Sequence, residues 1–158
     1  MSDLTSNLAF NTFLENEVID FEKINENFEK LDGYALCIES GEKTAVYSGG
    51  VSGNATWRYK KYSDSTIEMY TKIELENLKC NSGASLPYYS PDVKVMLPIN
   101  MTSIDHIETQ LASSTIGWIS NITDKNIVDY ILFKVISTAY ESTNIYKQVF
   151  INVKGRWK

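Results

Sequence analysis

The sequence predicts a mainly β chain: an antiparallel β-sandwich head behind one N-terminal α-helix. Three observations carry this. Apolar residues alternate with period two from Trp57 onward. Helical three- and four-residue spacing is confined to residues 13–32. Ten Tyr and three Trp stand against three Pro in 158 residues, a composition that suits pleated surfaces. With 43% hydrophobic and 22% charged residues, the chain has enough apolar material for a core.

Residues 1–12 are polar and read as extended. Thr12-Phe13-Leu14-Glu15 then forms a capping-box pattern, in which Thr and Glu satisfy free N–H groups of a first helical turn. A later start at Asp20 is the alternative. Gly33 follows the last apolar residue, where a left-handed C′ position ends a helix. The apolar edge is Leu14, Val18, Phe21, Ile24, Phe28 and Leu31. Its heptad frame slips at Phe21, which makes a short coiled-coil seam. A lone helix of about 20 residues with so narrow an edge is marginal in water, so it needs a partner surface. Asn25 and Asn27 flank the seam and read either as register-setting amides or as solvated ones.

Residues 39–56 contain Gly41, Gly49, Gly50 and Gly53 and read as a flexible linker with one short strand at 44–47. The expected organisation is an attachment segment at 1–38, this linker at 39–56, and a β head at 57–158.

In TIEMYTKIELENL, Ile67, Met69, Thr71, Ile73 and Leu75 alternate with Glu68, Tyr70, Lys72, Glu74 and Glu76. That is a strand with one buried and one wet face. WRYKKYSD before it repeats the pattern, with Trp57, Tyr59 and Lys61 opposite Arg58, Lys60 and Tyr62. Ser63-Asp64-Ser65 reads as the tight turn of a hairpin. Further strands are expected at 93–97, 104–112, 116–122, 130–137 and 146–157, with Pro87, Pro91 and Pro98 in the gaps. About seven short strands at such spacing predict an antiparallel sandwich or barrel.

The formal net charge of −5 is uneven. Residues 1–34 carry eight acids against Lys23 and Lys30, while the other 124 residues carry 12 acids and 13 bases. No basic cluster exceeds Arg58, Lys60 and Lys61, too few cations for a phosphate backbone. Nucleic-acid binding is not expected. MSDLTSNLAF has no basic start and no long apolar run, so no secretion signal is expected, and no stretch approaches the length of a membrane span. Cys37 and Cys80 form no CxxC and the chain has one histidine. No metal site is expected. The cysteines are expected free, with a pairing as the alternative.

Catalytic chemistry finds little purchase. His106 follows Asp105, but strand neighbours point to opposite faces and do not make a dyad. Glu74 with Glu76, or Glu68 with Glu74, would share a strand face. Paired carboxylates serve glycosidases, yet same-face acids on an alternating strand read as its wet side. There is no nucleophile elbow and no phosphate loop. The chain is expected to be no enzyme and to need no cofactor. Aromatic loops are more telling. Residues 81–92, NSGASLPYYSPD, offer Tyr88 and Tyr89, and SSTIGWISN offers Trp118 among small polar groups. Exposed rings stack on sugar faces while amides and hydroxyls bond sugar hydroxyls. The competing assignment places Trp118 and one Tyr in the core. Trp57 and Trp157 read as structural and are expected near each other.

NENFEKLDG, preceded by VIDFEKI, resembles the front segment of bacteriophage tail-fibre and baseplate proteins. WRYKKYSDSTIEMY and the final INVKGRWK resemble the terminal domain of phage tail fibres and receptor-binding proteins, especially those of phages and prophages of gut Firmicutes. The likeness spans about 60 residues in two separated blocks. It departs at Ser65, where relatives carry Gly, and at Met69-Tyr70, where Cys-Trp is common. The resemblance implies a homotrimer gathered by the helical seam, a front segment docked on a phage tail or baseplate protein, and β heads that contact bacterial surface polysaccharide or teichoic acid. It implies a protein made in the bacterial cytoplasm that acts outside, on a virion tail or a tail-like particle. Rival readings are a monomeric carbohydrate-binding module or glycan hydrolase, and a tail structural protein without receptor binding.

Overall fold

The computed structural model describes residues 35–124, 126–141 and 146–158. The chain divides into two units, Met1–Leu36 and Cys37–Lys158. The helix expected over 13–32 and its stripe, Leu14, Val18, Phe21, Ile24, Phe28 and Leu31, lie outside the described residues.

The second unit is mainly β. Its strands are β1 (Cys37–Ser48), β2 (Gly53–Tyr62), β3 (Thr66–Glu74), β4 (Tyr88–Tyr89), β5 (Val93–Met96), β6 (Ser103–Ser113), β7 (Gly117–Asn121), β8 (Tyr130–Ser137) and β9 (Lys147–Arg156). All pair antiparallel in one sheet of order β4-β8-β5-β1-β2-β3-β9-β6, and β7 takes the other edge of β8. The expected sandwich of two separate sheets is therefore replaced by one continuous sheet that curls. Its two ends approach each other: Thr109 Oγ1 on β6 donates to Asn121 Oδ1 on β7 at 3.3 Å. A twisted sheet of this many strands closes toward itself because its apolar face has no second layer to cover it.

The inner face follows the alternation of the sequence. Ile67, Met69, Thr71 and Ile73 of β3 are buried, as are Val149, Ile151 and Val153 of β9 and Ile131, Phe133 and Val135 of β8. Trp57 on β2 is fully buried among them. Each such aliphatic or Phe side chain contributes roughly 1.5–3 kcal/mol of transfer free energy. β6 keeps two isoleucines on this face by a bulge: the register shifts at Asp105, so Ile104 and Ile107 both pack against the core. His106 is exposed opposite Lys154.

The linker expected over 39–56 is a hairpin instead. β1 pairs with β2 from Cys37↔Tyr62 to Tyr47↔Gly53, and residues 49–52 make its turn. The glycines that suggested flexibility serve that turn and the close pairing of Gly41 with Tyr59. β1 has little buried surface because only Tyr47 and Ser48 gain a second neighbour, β5.

The hairpin expected after Trp57 is present. Ser65 adopts φ 69°, its N–H bonds Tyr62 O at 3.2 Å, and Asp64 accepts from Thr66 N–H at 3.0 Å. β3 then pairs with β9 from Thr66↔Arg156 to Glu74↔Gln148. Trp157 N–H donates to Ser65 O at 3.1 Å, and Lys61 lies 4.7 Å above the Trp157 ring. Trp157 therefore caps the turn, whereas Trp57 pairs with Thr71 deeper in the sheet. Gly155 admits no side chain: a Cβ there would lie 2.1 Å from Ser103 O.

Candidate binding surface

β8 decides where the expected aromatic residues fall. Its inner-face residues are Ile131, Phe133, Val135 and Ser137, so Ile136 points outward. Trp118 of β7 stands opposite Ile136 on one side, and Tyr89 of β4 stands opposite it on the other. Trp118 is 46% and Tyr89 37% exposed, yet Ile136 between them is only 8% exposed. The two rings thus flank and cover an outward isoleucine, about 10 Å apart at their Cα atoms by strand spacing. Tyr88 belongs elsewhere. It pairs with Ser137, packs half-buried on the core, and meets Tyr140 edge-on at 5.4 Å. Of the three expected residues, the fold brings Tyr89 and Trp118 together and turns Tyr88 to the opposite face.

Each ring is anchored by its backbone. Tyr89 exchanges hydrogen bonds with Ser82, at 2.9 Å and 3.2 Å, besides its place beside β8. Trp118 follows Gly117, where a Cβ would lie 2.4 Å from Ile136 O. Only glycine lets β7 approach β8 so closely.

A buried ion pair joins Lys147 to Glu141 at 2.6 Å, both side chains essentially without solvent contact. Lys147 Nζ also donates to Leu78 O at 2.9 Å. Glu141 Oε1 accepts from Thr115 Oγ1 at 2.6 Å and Ser137 Oγ at 2.7 Å. Burial presses the Glu141 carboxyl upward, but the hydrogen bonds from Lys147, Thr115 and Ser137 outweigh it and hold it below the ordinary carboxylate value. Cys80 beside it is a buried free thiol, pushed up to about 12 mainly by burial and also by the Glu141 charge. Cys37 is free and exposed. The network ties the residues before Trp118 and the end of β8 to the start of β9.

Of the acids weighed for hydrolysis, Glu68 and Glu74 are engaged by neighbouring side chains. β3 ends at Glu74, so Glu76 lies past the strand. Glu74 meets Lys72 at 3.3 Å and accepts from Gln148 Nε2 at 3.0 Å. Glu68 is paired with Lys154 at 2.6 Å, whose hydrogen bond is the main reason its carboxyl lies below the ordinary value.

No family model matches the chain, and no curated protein matches it. Among solved structures it is similar to the N-truncated R1-type pyocin tail fibre. The TM-score is 0.43 and the identity 10%, over 69% of this chain and 84% of that one. So slight a likeness assigns neither fold nor function.

The exposure of Tyr89 and Trp118 was legible in the sequence because rings beside Gly, Pro and Ser mark surface segments. Ile136 was missed, since nothing in YILFKVIS distinguishes an outward apolar residue from an inward one. Glu141 and Lys147 were missed because charged residues in polar segments carry no signal of burial.

Proposed function

We propose that the chain is a structural and adhesive part of a phage tail or phage-derived tail-like particle. It is a homotrimeric tail fibre or receptor-binding tip. Its front segment docks on a tail or baseplate protein, and its β head binds bacterial surface polysaccharide or teichoic acid. It performs no reaction and needs no cofactor. It is made in the bacterial cytoplasm and acts outside, at the surface of the cell it contacts.

One observation carries the reading. The two blocks that resemble phage fibre ends, WRYKKYSDSTIEMY and INVKGRWK, are separated in sequence but form one structural unit. β3 pairs with β9 along its length, and Trp157 binds the hairpin turn. The departure at Ser65 is compatible with that unit, because Ser65 adopts the left-handed conformation that Gly takes easily. Receptor binding is supported by the Tyr89–Ile136–Trp118 row, an amphipathic surface of the kind that stacks on sugar rings. Three such sites on one trimer gain through effective concentration.

The test is solution mass by light scattering, with binding to intact bacterial cells measured on the same sample. The full chain is expected at three times the chain mass, and Trp118→Ala is expected to keep that mass and lose cell binding. A monomeric full chain would overturn the trimer and leave a lone sugar-binding module. A trimer that binds no cells would overturn the adhesive half and leave a tail structural protein.

A further inference from the structure

We propose a second binding site, for an acidic oligosaccharide, on the outer face of β1, β2, β3 and β9. It stands on the geometry of that face and does not depend on the phage assignment.

Two cross-strand rows run side by side there. In one, Glu42 stands opposite Arg58, Arg58 opposite Tyr70, and Tyr70 opposite Asn152. In the next, Ser40 stands opposite Lys60, Lys60 opposite Glu68, and Glu68 opposite Lys154. A groove of about 470 Å³ opens between them, a size typical of small-molecule sites. A second hollow of about 330 Å³ continues toward Thr56 and Lys72. Glu42, Arg58 and Tyr70 line both. The two hollows adjoin along the strands, one on each side of the Glu42–Arg58–Tyr70 row, and two adjoining hollows suit a short run of sugar units better than a single ring.

The chemistry of the lining selects the ligand class. Tyr70 is 43% exposed on a face that needs no aromatic for its own packing, and a Tyr ring with an open face stacks on a pyranose. The carboxylates are already engaged. Glu42 accepts from Arg58 Nε at 2.9 Å, and Glu68 takes Lys154 at 2.6 Å and Tyr62 OH at 3.2 Å. The cations are not all used. Arg58 commits only Nε, which leaves both Nη groups as donors among the described residues. Lys60 makes no ion pair among the described residues. The groove therefore offers spare positive donors, a ring and the Asn152 amide, with its negative charge neutralised. That set recognises a sugar chain bearing carboxylate or phosphate.

The experiment is amide chemical-shift mapping of the isotope-labelled full chain with three probes: an oligogalacturonate, a glycerol-phosphate oligomer and a neutral chito-oligosaccharide. The expected result is saturable shifts at Ser40, Lys60, Tyr70 and Asn152 with at least one acidic probe, and none there with the neutral one. Whichever acidic probe succeeds identifies carboxylate or phosphate as the recognised group. Affinity is expected to fall about tenfold or more in Tyr70→Ala and in Lys60→Gln. Both residues are exposed; should Tyr70→Ala fail to fold, Lys60→Gln carries the comparison. The site is overturned if no acidic probe shifts those amides at millimolar concentration, if the neutral probe shifts them equally, or if Lys60→Gln binds unchanged. Shifts confined to Tyr89 and Trp118 would also overturn it, while leaving the adhesive reading intact.

Discussion

Ser65 occupies a left-handed turn position at φ 69°, a conformation that costs an L-residue with a side chain about 1–2 kcal/mol. The Ser65 bonds to Tyr62 and Trp157 run through its backbone, so Gly would preserve them. Glycine gives back part of the gain through its greater freedom in the unfolded chain. Ser65→Gly is therefore expected to stabilise by about 0.5–1 kcal/mol and to raise the melting temperature by a few degrees, measured by calorimetry. Gly155 is the opposite case. A methyl group would collide with Ser103 O at 2.1 Å and force β9 away from β6. Gly155→Ala is expected to cost more than about 2 kcal/mol in urea unfolding; an unchanged midpoint would show that β6 moves aside freely. The turn itself was legible from Ser-Asp-Ser, because Asp binds the backbone two residues on. The glycine requirement at 155 was not, because it arises from a carbonyl some 50 residues away in sequence.

At the scale of elements, the Lys147–Glu141 pair joins four segments: the loop after β3 through Leu78, the residues before β7 through Thr115, the end of β8 through Ser137, and the start of β9. Removing one partner strands a buried charge. Lys147→Met is expected to cost about 3–5 kcal/mol, and Lys147→Met with Glu141→Leu less than that single change. Because the folded Glu141 carboxyl titrates below its ordinary 4.5, its contribution is present above the unfolded value and is lost as the pH falls through the folded one. Glu68, Glu39 and Asp64 are shifted in the same direction. Urea midpoints should therefore fall steadily as the pH is lowered from about 5 to 3, and the double variant should show a shallower fall. β3 and β9 were legible because each buries one face and so alternates, and β8 because its short run YILFKVIS is almost wholly apolar. β1 was not, since it is exposed along most of both faces and is held as a strand by its ladder to β2 rather than by burial. Hydropathy cannot report a strand that hides almost nothing. The same limit applies to sheet number: alternation gives an inner and an outer face but does not say whether the inner face meets a second sheet or its own far end.

For the whole molecule, the unit from Cys37 to Lys158 contains its own core and its own aromatic row, so it can be studied without the residues before it. The side of β1 before Tyr47 that faces away from β2 carries no second strand among the described residues, and Glu39, Glu42 and Lys43 lie along it; charges on an edge strand oppose pairing with other copies. A protein beginning at Ala35 keeps β1 whole and is expected to stay soluble and monomeric, whereas one beginning at Gly53 would lose β1 and expose the free side of β2. On the trimeric reading, the full chain presents three Tyr89–Trp118 rows at once. Linked weak sites bind a repetitive surface about 10²–10⁴ times more tightly than one site does. The full chain should therefore remain on washed cells at concentrations where the Ala35 version rinses away. Excess Ala35 protein should displace it only weakly, and Trp118→Ala should abolish retention of the full chain. If the two proteins bind cells equally while the full chain weighs as a trimer, the three heads cannot reach the surface together, and the adhesive role belongs to one head per particle.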